Sequence, residues 1–163
     1  MIPERACGLQ LEDVADADPI PHVRIRPNEN RGLKNAQSRR EVPLHPHLIE
    51  LGFRDYCAQL RAVEEHDLFP DLRPGDGNRS FGDALHYRWH ELLKRQIGPD
   101  TGGKVFHSFR HYVISQLKRS RVDIDQVKEL VGHLHGNVTE DRYADSEELT
   151  ALADVVKILP RVF

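Results

Sequence analysis

No apolar run in the 163-residue chain approaches the ~20 residues needed to cross a bilayer. The opening stretch MIPERACGLQLEDV also lacks the basic-then-apolar order of a signal peptide, so a cytoplasmic location is expected. Cysteine is scarce: Cys7 and Cys57 have no motif spacing and, in a reducing compartment, read as two buried thiols. Positive charge is not in excess, with 23 Lys and Arg against 26 Asp and Glu for a net charge of -3, which by itself argues against a nucleic-acid partner. Charge is nevertheless segregated. RGLKNAQSRR, LKRQ and RSRV are basic, while QLEDVADAD and DSEEL are acidic, so the average decides little. Internal repeats and low-complexity tracts are absent as well. What remains is 39% hydrophobic and 30% charged, the composition of one soluble globular domain. A chain of this length buries about 70% of its unfolded surface, so no disulfide or metal staple is required.

Leu9, Leu11 and Val14 have weak amphipathic spacing, as at the end of a helix entering an acidic turn. HVRIRP alternates Val23 and Ile25 with Arg24 and Arg26, a strand signal, and EVPLH resumes that alternation after a polar, turn-rich connection. The pair predicts a hairpin with Lys34, Arg39 and Arg40 near its tip; a solvated loop is the plainer reading of that tip. From Pro46 the pattern is helical, with Leu48, Ile49, Phe53, Tyr56, Cys57 and Leu60 on one stripe broken by Gly52. Ser80 is placed to cap a helix whose inner face is Phe81, Leu85, Trp89 and Leu92 or Leu93. Ser108 is placed to cap another, with Phe109, Tyr112 or Val113, and Leu117 facing in. Asp123 caps the next, with Ile124, Val127, Leu130 and Val131 inward and Gly132 where a left-handed C-cap belongs. Asn137 and Glu140 resemble a capping box for a short helix through Tyr143, and a last helix runs from Ser146 to about Lys157. Helices around a small hairpin predict an α+β domain, mostly helical, spanning residues 1–163.

Chemistry concentrates in FHSFRHYVISQL and VGHLHGNVTEDRY. His86 with His90, and His107 with His111, have the four-residue spacing of helical zinc ligands, but no carboxylate or cysteine follows at ligand spacing, so no metal is expected. No serine or cysteine sits on a glycine-rich nucleophile elbow. Phosphate chemistry fits better. His107 and Arg110, three apart at a helix start, share a face near the positive end of its dipole, and arginine's planar fork matches phosphate oxygens in two bonds. His133 follows a glycine-stopped helix, a corner where a side chain can be aimed, and Tyr143 comes ten residues later.

In that order, His107-Ser-Phe-Arg110-His111, Val131-Gly132-His133 and Tyr143 resemble the signature of the tyrosine recombinases, the phage integrase family. Upstream, LKNAQSRREVPLHPHLIELGF is similar to the family's β-hairpin, with Lys34 at the place of its catalytic lysine. The resemblance implies the family's DNA breaking-rejoining catalytic fold and site-specific recombination or integration through a 3'-phosphotyrosyl intermediate. It implies catalytic roles for Lys34, His107, Arg110, His133 and Tyr143, with Arg39, Arg40 and Arg142 on DNA phosphates. It further implies double-stranded DNA as partner, no cofactor, no membrane, a bacterial or phage-derived protein at the nucleoid, and self-association through the C-terminal helix in a synaptic tetramer.

Two departures accompany it. The family's early arginine would fall near Ile2 by the register of Leu9, Leu11 and Asp13-Val14, and Arg5 occupies the neighbouring glutamate position. The helical DNA-clamping domain that precedes the catalytic domain in the family has no counterpart in the chain. An incomplete catalytic domain of low activity alone is therefore expected. Two other classes remain open: a helix-turn-helix formed around SRVD that only binds DNA, and an inactive remnant serving as a DNA-binding or assembly module.

Overall fold

The computed structural model describes residues 6–17, 19–32, 39–74, 80–100, 102–132 and 146–161. After a short helical stretch at Ala6 and Cys7, a 3-10 turn at Leu11–Asp13 leads into a three-stranded antiparallel sheet: β1 (Val14–Ala15), β2 (His22–Ile25) and β3 (Arg40–Pro43), in that order. Val14 pairs with Val23, and Val23 in turn with Val42. The alternation in HVRI is realised, with Val23 and Ile25 buried and Arg24 directed outward. The hairpin predicted from HVRIRP and EVPLH is thus β2–β3. The two-residue β1 is an addition, too short to show a period of two.

Six α-helices follow among the described residues: α1 (Pro46–Glu50), α2 (Phe53–Ala62), α3 (Phe81–Ile97), α4 (Ser108–Arg119), α5 (Ile124–Val131) and α6 (Ser146–Lys157). Gly52 divides α1 from α2 because it takes a left-handed backbone, φ 89°, which ends one helix and caps the next. Ser80 stands at the start of α3, where its N–H donates to the Asp83 carboxylate at 2.7 Å. Asp123 caps α5 as expected, its carboxylate accepting from the N–H groups of Asp125 and Gln126 at 2.8 and 3.4 Å.

Two larger apolar clusters and one smaller one form the interior. Leu9, Leu11, Val14, Val23, Ile25, Cys57 and Leu68 fill the space between the sheet and α2. Leu117, Val127, Leu130, Leu152, Val155 and Val156 join α4, α5 and α6, and Val42 of β3 packs against both clusters. Cys7, Leu72 and Phe81 make the third, where α3 meets the N-terminal segment. Cys7 and Cys57 are both buried and not disulfide-bonded, and burial raises the Cys57 thiol pKa. The apolar face of α6 is spent within the chain, with Leu149, Leu152, Val155 and Val156 all buried.

The helical stripes are narrower than the sequence implies. Leu48, Tyr56, Phe109 and Ile124, expected inside, are exposed; of the alternatives Tyr112 and Val113, Val113 packs inward and Tyr112 is exposed; and Leu117, Val127, Leu130 and Val131 are buried as expected. Leu48, Phe109 and Tyr112 border an apolar groove of about 710 Å³ between α1, α3, α4 and the segment after α6. No helix among the described residues is long and apolar enough to cross a membrane.

Candidate active site

α4 is anchored at its first turn by aromatic packing onto α3. Trp89 meets Phe109 at 5.1 Å and Phe106 at 5.9 Å between ring centroids, and Phe106 meets Phe109 at 5.5 Å. That triangle fixes the turn carrying His107 and Arg110. His107 is the N-cap and Arg110 lies one turn on, its N–H donating to the His107 carbonyl at 3.0 Å. Ser108, expected as the cap, is instead the first helical residue, and its hydroxyl accepts from the Val105 N–H at 3.2 Å.

His107 is exposed and its ring lies 5.2 Å from that of His111. Its pKa is held below the ordinary histidine value, first by partial loss of solvent and then by the neighbouring positive charges of His111 and Arg110. The consequence is a neutral imidazole at pH 7, able to accept a proton. Arg110 is half-buried in the same turn, which confines a permanently charged, planar donor beside a neutral base.

The second corner is at the end of α5. Gly132, which precedes His133 in the sequence, adopts φ 72°, ψ 48°, the left-handed cap anticipated from the sequence. Arg40, the first residue of β3, lies against this corner: its Nε–H donates to the Leu130 carbonyl at 3.3 Å. Because β3, α4, α5 and α6 share one cluster of buried side chains, the His107 turn and the Gly132 corner are held in one frame.

The base of the β2–β3 connection is fastened by a group that sequence reasoning missed. Asp13 is fully buried, and its carboxylate accepts from Arg26 Nε at 2.7 Å, Asn28 Nδ2 at 2.8 Å and Arg31 at 3.1 Å. Arg31 is also buried and donates to the carbonyls of Arg26 and Arg24 at 2.9 and 3.2 Å. The polar run NENR, read as ordinary loop, is therefore pinned to the body by a buried ion pair. Beside a local bond from the Gln10 N–H at 3.1 Å, these partners lie 13, 15 and 18 residues away, beyond the reach of any local pattern. Arg39, which follows the tip, is exposed.

Of the predicted site residues, the structure thus places His107, Arg110, Arg39 and Arg40. Lys34, His133, Arg142 and Tyr143 lie outside the described residues, as do Ile2, Arg5 and the expected Asn137–Tyr143 helix. Among the described residues no group of three or more His, Cys, Asp or Glu side chains could hold a metal ion. His86 and His90 stack edge-on at 4.5 Å without a third ligand type beside them.

A three-stranded sheet packed under helices, with a His-x-x-Arg pair opening one helix and a left-handed Gly132 closing the next, is consistent with the α+β catalytic domain of an integrase. The sequence profile of the phage integrase family matches residues 4–149, and the chain belongs to that family. It is also similar to transposase A from transposon Tn554 of Staphylococcus aureus, at 29% identity over 158 residues, in strains Mu50 and N315 alike. That match covers 94% of this chain and 42% of the relative, so the chain spans less than half the length of these transposases. No solved structure matches.

Proposed function

We propose that the chain carries the strand-cleavage chemistry of site-specific DNA recombination. The Tyr143 hydroxyl attacks a DNA phosphodiester, a P–O bond to tyrosine forms, and the bond from phosphorus to the 5'-oxygen breaks. The product is a 3'-phosphotyrosyl link and a free 5'-hydroxyl. A tyrosine hydroxyl has a pKa of about 10, so its proton must be accepted as attack proceeds. His107 is that acceptor. Arg110 faces the charge that builds on the non-bridging oxygens, and His133 hydrogen-bonds the same phosphate. Lys34 returns a proton to the departing 5'-oxygen. Attack by a 5'-hydroxyl of a second strand reverses each step, and the covalent link conserves the bond energy meanwhile.

The observation that carries this reading is the first turn of α4, where a histidine held neutral and a half-buried arginine stand on one face. Family membership supports the rest of the constellation. Ile2 occupies the place that the family's register gives to a second phosphate-binding arginine. Loss of one such donor slows a reaction ~100- to 1,000-fold, so cleavage by this chain alone is expected to be slow.

The test is a nicked duplex whose cleaved end diffuses away and traps the covalent protein–DNA adduct. A small, slowly formed adduct that disappears in Tyr143→Phe is expected. An adduct that survives Tyr143→Phe removes the nucleophile assignment. Salt-sensitive DNA binding with no adduct, even in Ile2→Arg, reduces the chain to a DNA-binding module.

A further inference from the structure

We propose that Arg40 is a positioning residue: it clamps the end of α5 to the base of the β2–β3 hairpin, and its guanidinium serves that corner rather than a DNA phosphate. The proposal rests on the catalytic reading above, in which His133 and Lys34 must meet at one phosphate.

The last carbonyls of a helix lack intrahelical partners and carry the negative end of its dipole, so a cation that can hydrogen-bond them is favoured there. Arg40 satisfies both conditions from 90 residues away in sequence, its Nε–H on the Leu130 carbonyl at 3.3 Å. Its guanidinium also packs against Gly132. A Cβ built on that glycine would come within 2.8 Å of one terminal guanidinium nitrogen and 3.0 Å of Cζ. The φ of 72° favours glycine at the corner, and the guanidinium occupies the space that a Cβ would fill. The backbone of Arg40 is itself held, being paired with Ile25 in the sheet. One side chain therefore joins the strand that ends the Lys34-bearing connection to the residue immediately before His133.

Lysine separates the two roles. As a point charge it can still meet a phosphate, but it has no planar fork to lie over Gly132 and no Nε–H to offer Leu130. The experiment uses the full chain and records histidine side-chain resonances by long-range proton–nitrogen NMR, with His133 assigned through His133→Gln. Arg40→Ala and Arg40→Lys are both expected to displace the His133 signals, while Arg39→Ala leaves them in place. Affinity for a DNA duplex, measured against salt, is expected to keep its slope in both Arg40 variants.

His133 signals unmoved by Arg40→Ala overturn the proposal. So does a salt slope reduced by about one in Arg40→Ala and restored by Arg40→Lys, the signature of a phosphate contact. Thermal melting supplies a second reading, for which a poorly folded Arg40→Ala can be replaced by Arg40→Lys. Gly132→Ala should lower Tm more in the wild-type chain than in the Arg40 variant, and strict additivity would refute the close approach. If the wild-type chain neither binds DNA nor forms an adduct while Arg40 variants still move His133, the catalytic reading falls and the clamp stands.

Discussion

Replacing Asp13 with alanine removes the carboxylate from a site where nothing else can take its place. The Asp13 side chain is fully buried and that of Arg31 is only 3% exposed, so the variant strands a guanidinium charge with little access to water. Breaking a buried ion pair from one side costs about 3–5 kcal/mol. Two features place this case at the lower end. Arg31 keeps its bonds to the carbonyls of Arg26 and Arg24, and Arg26, the other cationic partner, is partly exposed and can hydrate. A loss of about 3 kcal/mol corresponds to a fall in Tm of roughly 10 °C for a domain of this size. Urea denaturation followed by far-ultraviolet circular dichroism, with Tm from calorimetry, measures both. The same logic makes the double change Asp13→Leu with Arg31→Met less destabilising than Asp13→Ala, because it leaves no buried guanidinium without its carboxylate. A single-variant loss below about 1 kcal/mol would refute the reasoning, since it would mean that Arg31 finds water without its partner. A double variant as unstable as the single one would show that packing, not charge, holds the segment.

Leu117→Ala should cost about 3 kcal/mol, because Leu117 is completely buried where α4, α5 and α6 meet; equilibrium unfolding in urea checks this. Asp123→Ala should cost about 1 kcal/mol by leaving the Asp125 and Gln126 N–H groups uncapped, with Asp123→Asn recovering most of it. His107, with its pKa below 6.5 in the folded chain, binds fewer protons than in the unfolded chain at mildly acid pH. Its contribution to stability is therefore complete above the ordinary histidine range and fades as pH falls through the lowered pKa. Adduct formation should have its acid limb below 6.5, and a limb at or above that value refutes the neutral-base role. Lys34→Ala should slow cleavage of ordinary DNA about 100-fold or more, yet scarcely affect a strand with sulfur in place of the bridging 5'-oxygen. Equal slowing on both substrates rules Lys34 out as the general acid.

Local rules served well where local physics decides. The alternation of Val23 and Ile25 with arginines, the Asp123 cap and the left-handed Gly132 were all readable, because each depends on residues within a turn or two. Tertiary context governs the places where the reading and the structure part. Phe109 and Tyr112 lie on an apolar sector of α4 as plausible as the one that carries Leu117, and only the arrangement of α1, α3 and the segment after α6 leaves them at the edge of a groove. The Asp13 hub was unreadable for a similar reason, since an aspartate in an acidic run resembles a solvated one until its distant arginines are in place. At the candidate site the spacing of His107 and Arg110 was legible. The lowered pKa of His107 and the seat of Arg40 on Gly132 needed three dimensions.

Val42 has a consequence for how the molecule comes apart. Among the described residues it is the one strand residue packed against both large clusters, so β3 is a party wall between a sheet-and-α2 half and a half built from α4, α5 and α6. Neither half can melt without stripping that wall from the other. The β3 amides that pair with β2 should then exchange with solvent only when the whole domain opens, which makes the seam between the two halves the most cooperative part of the described chain.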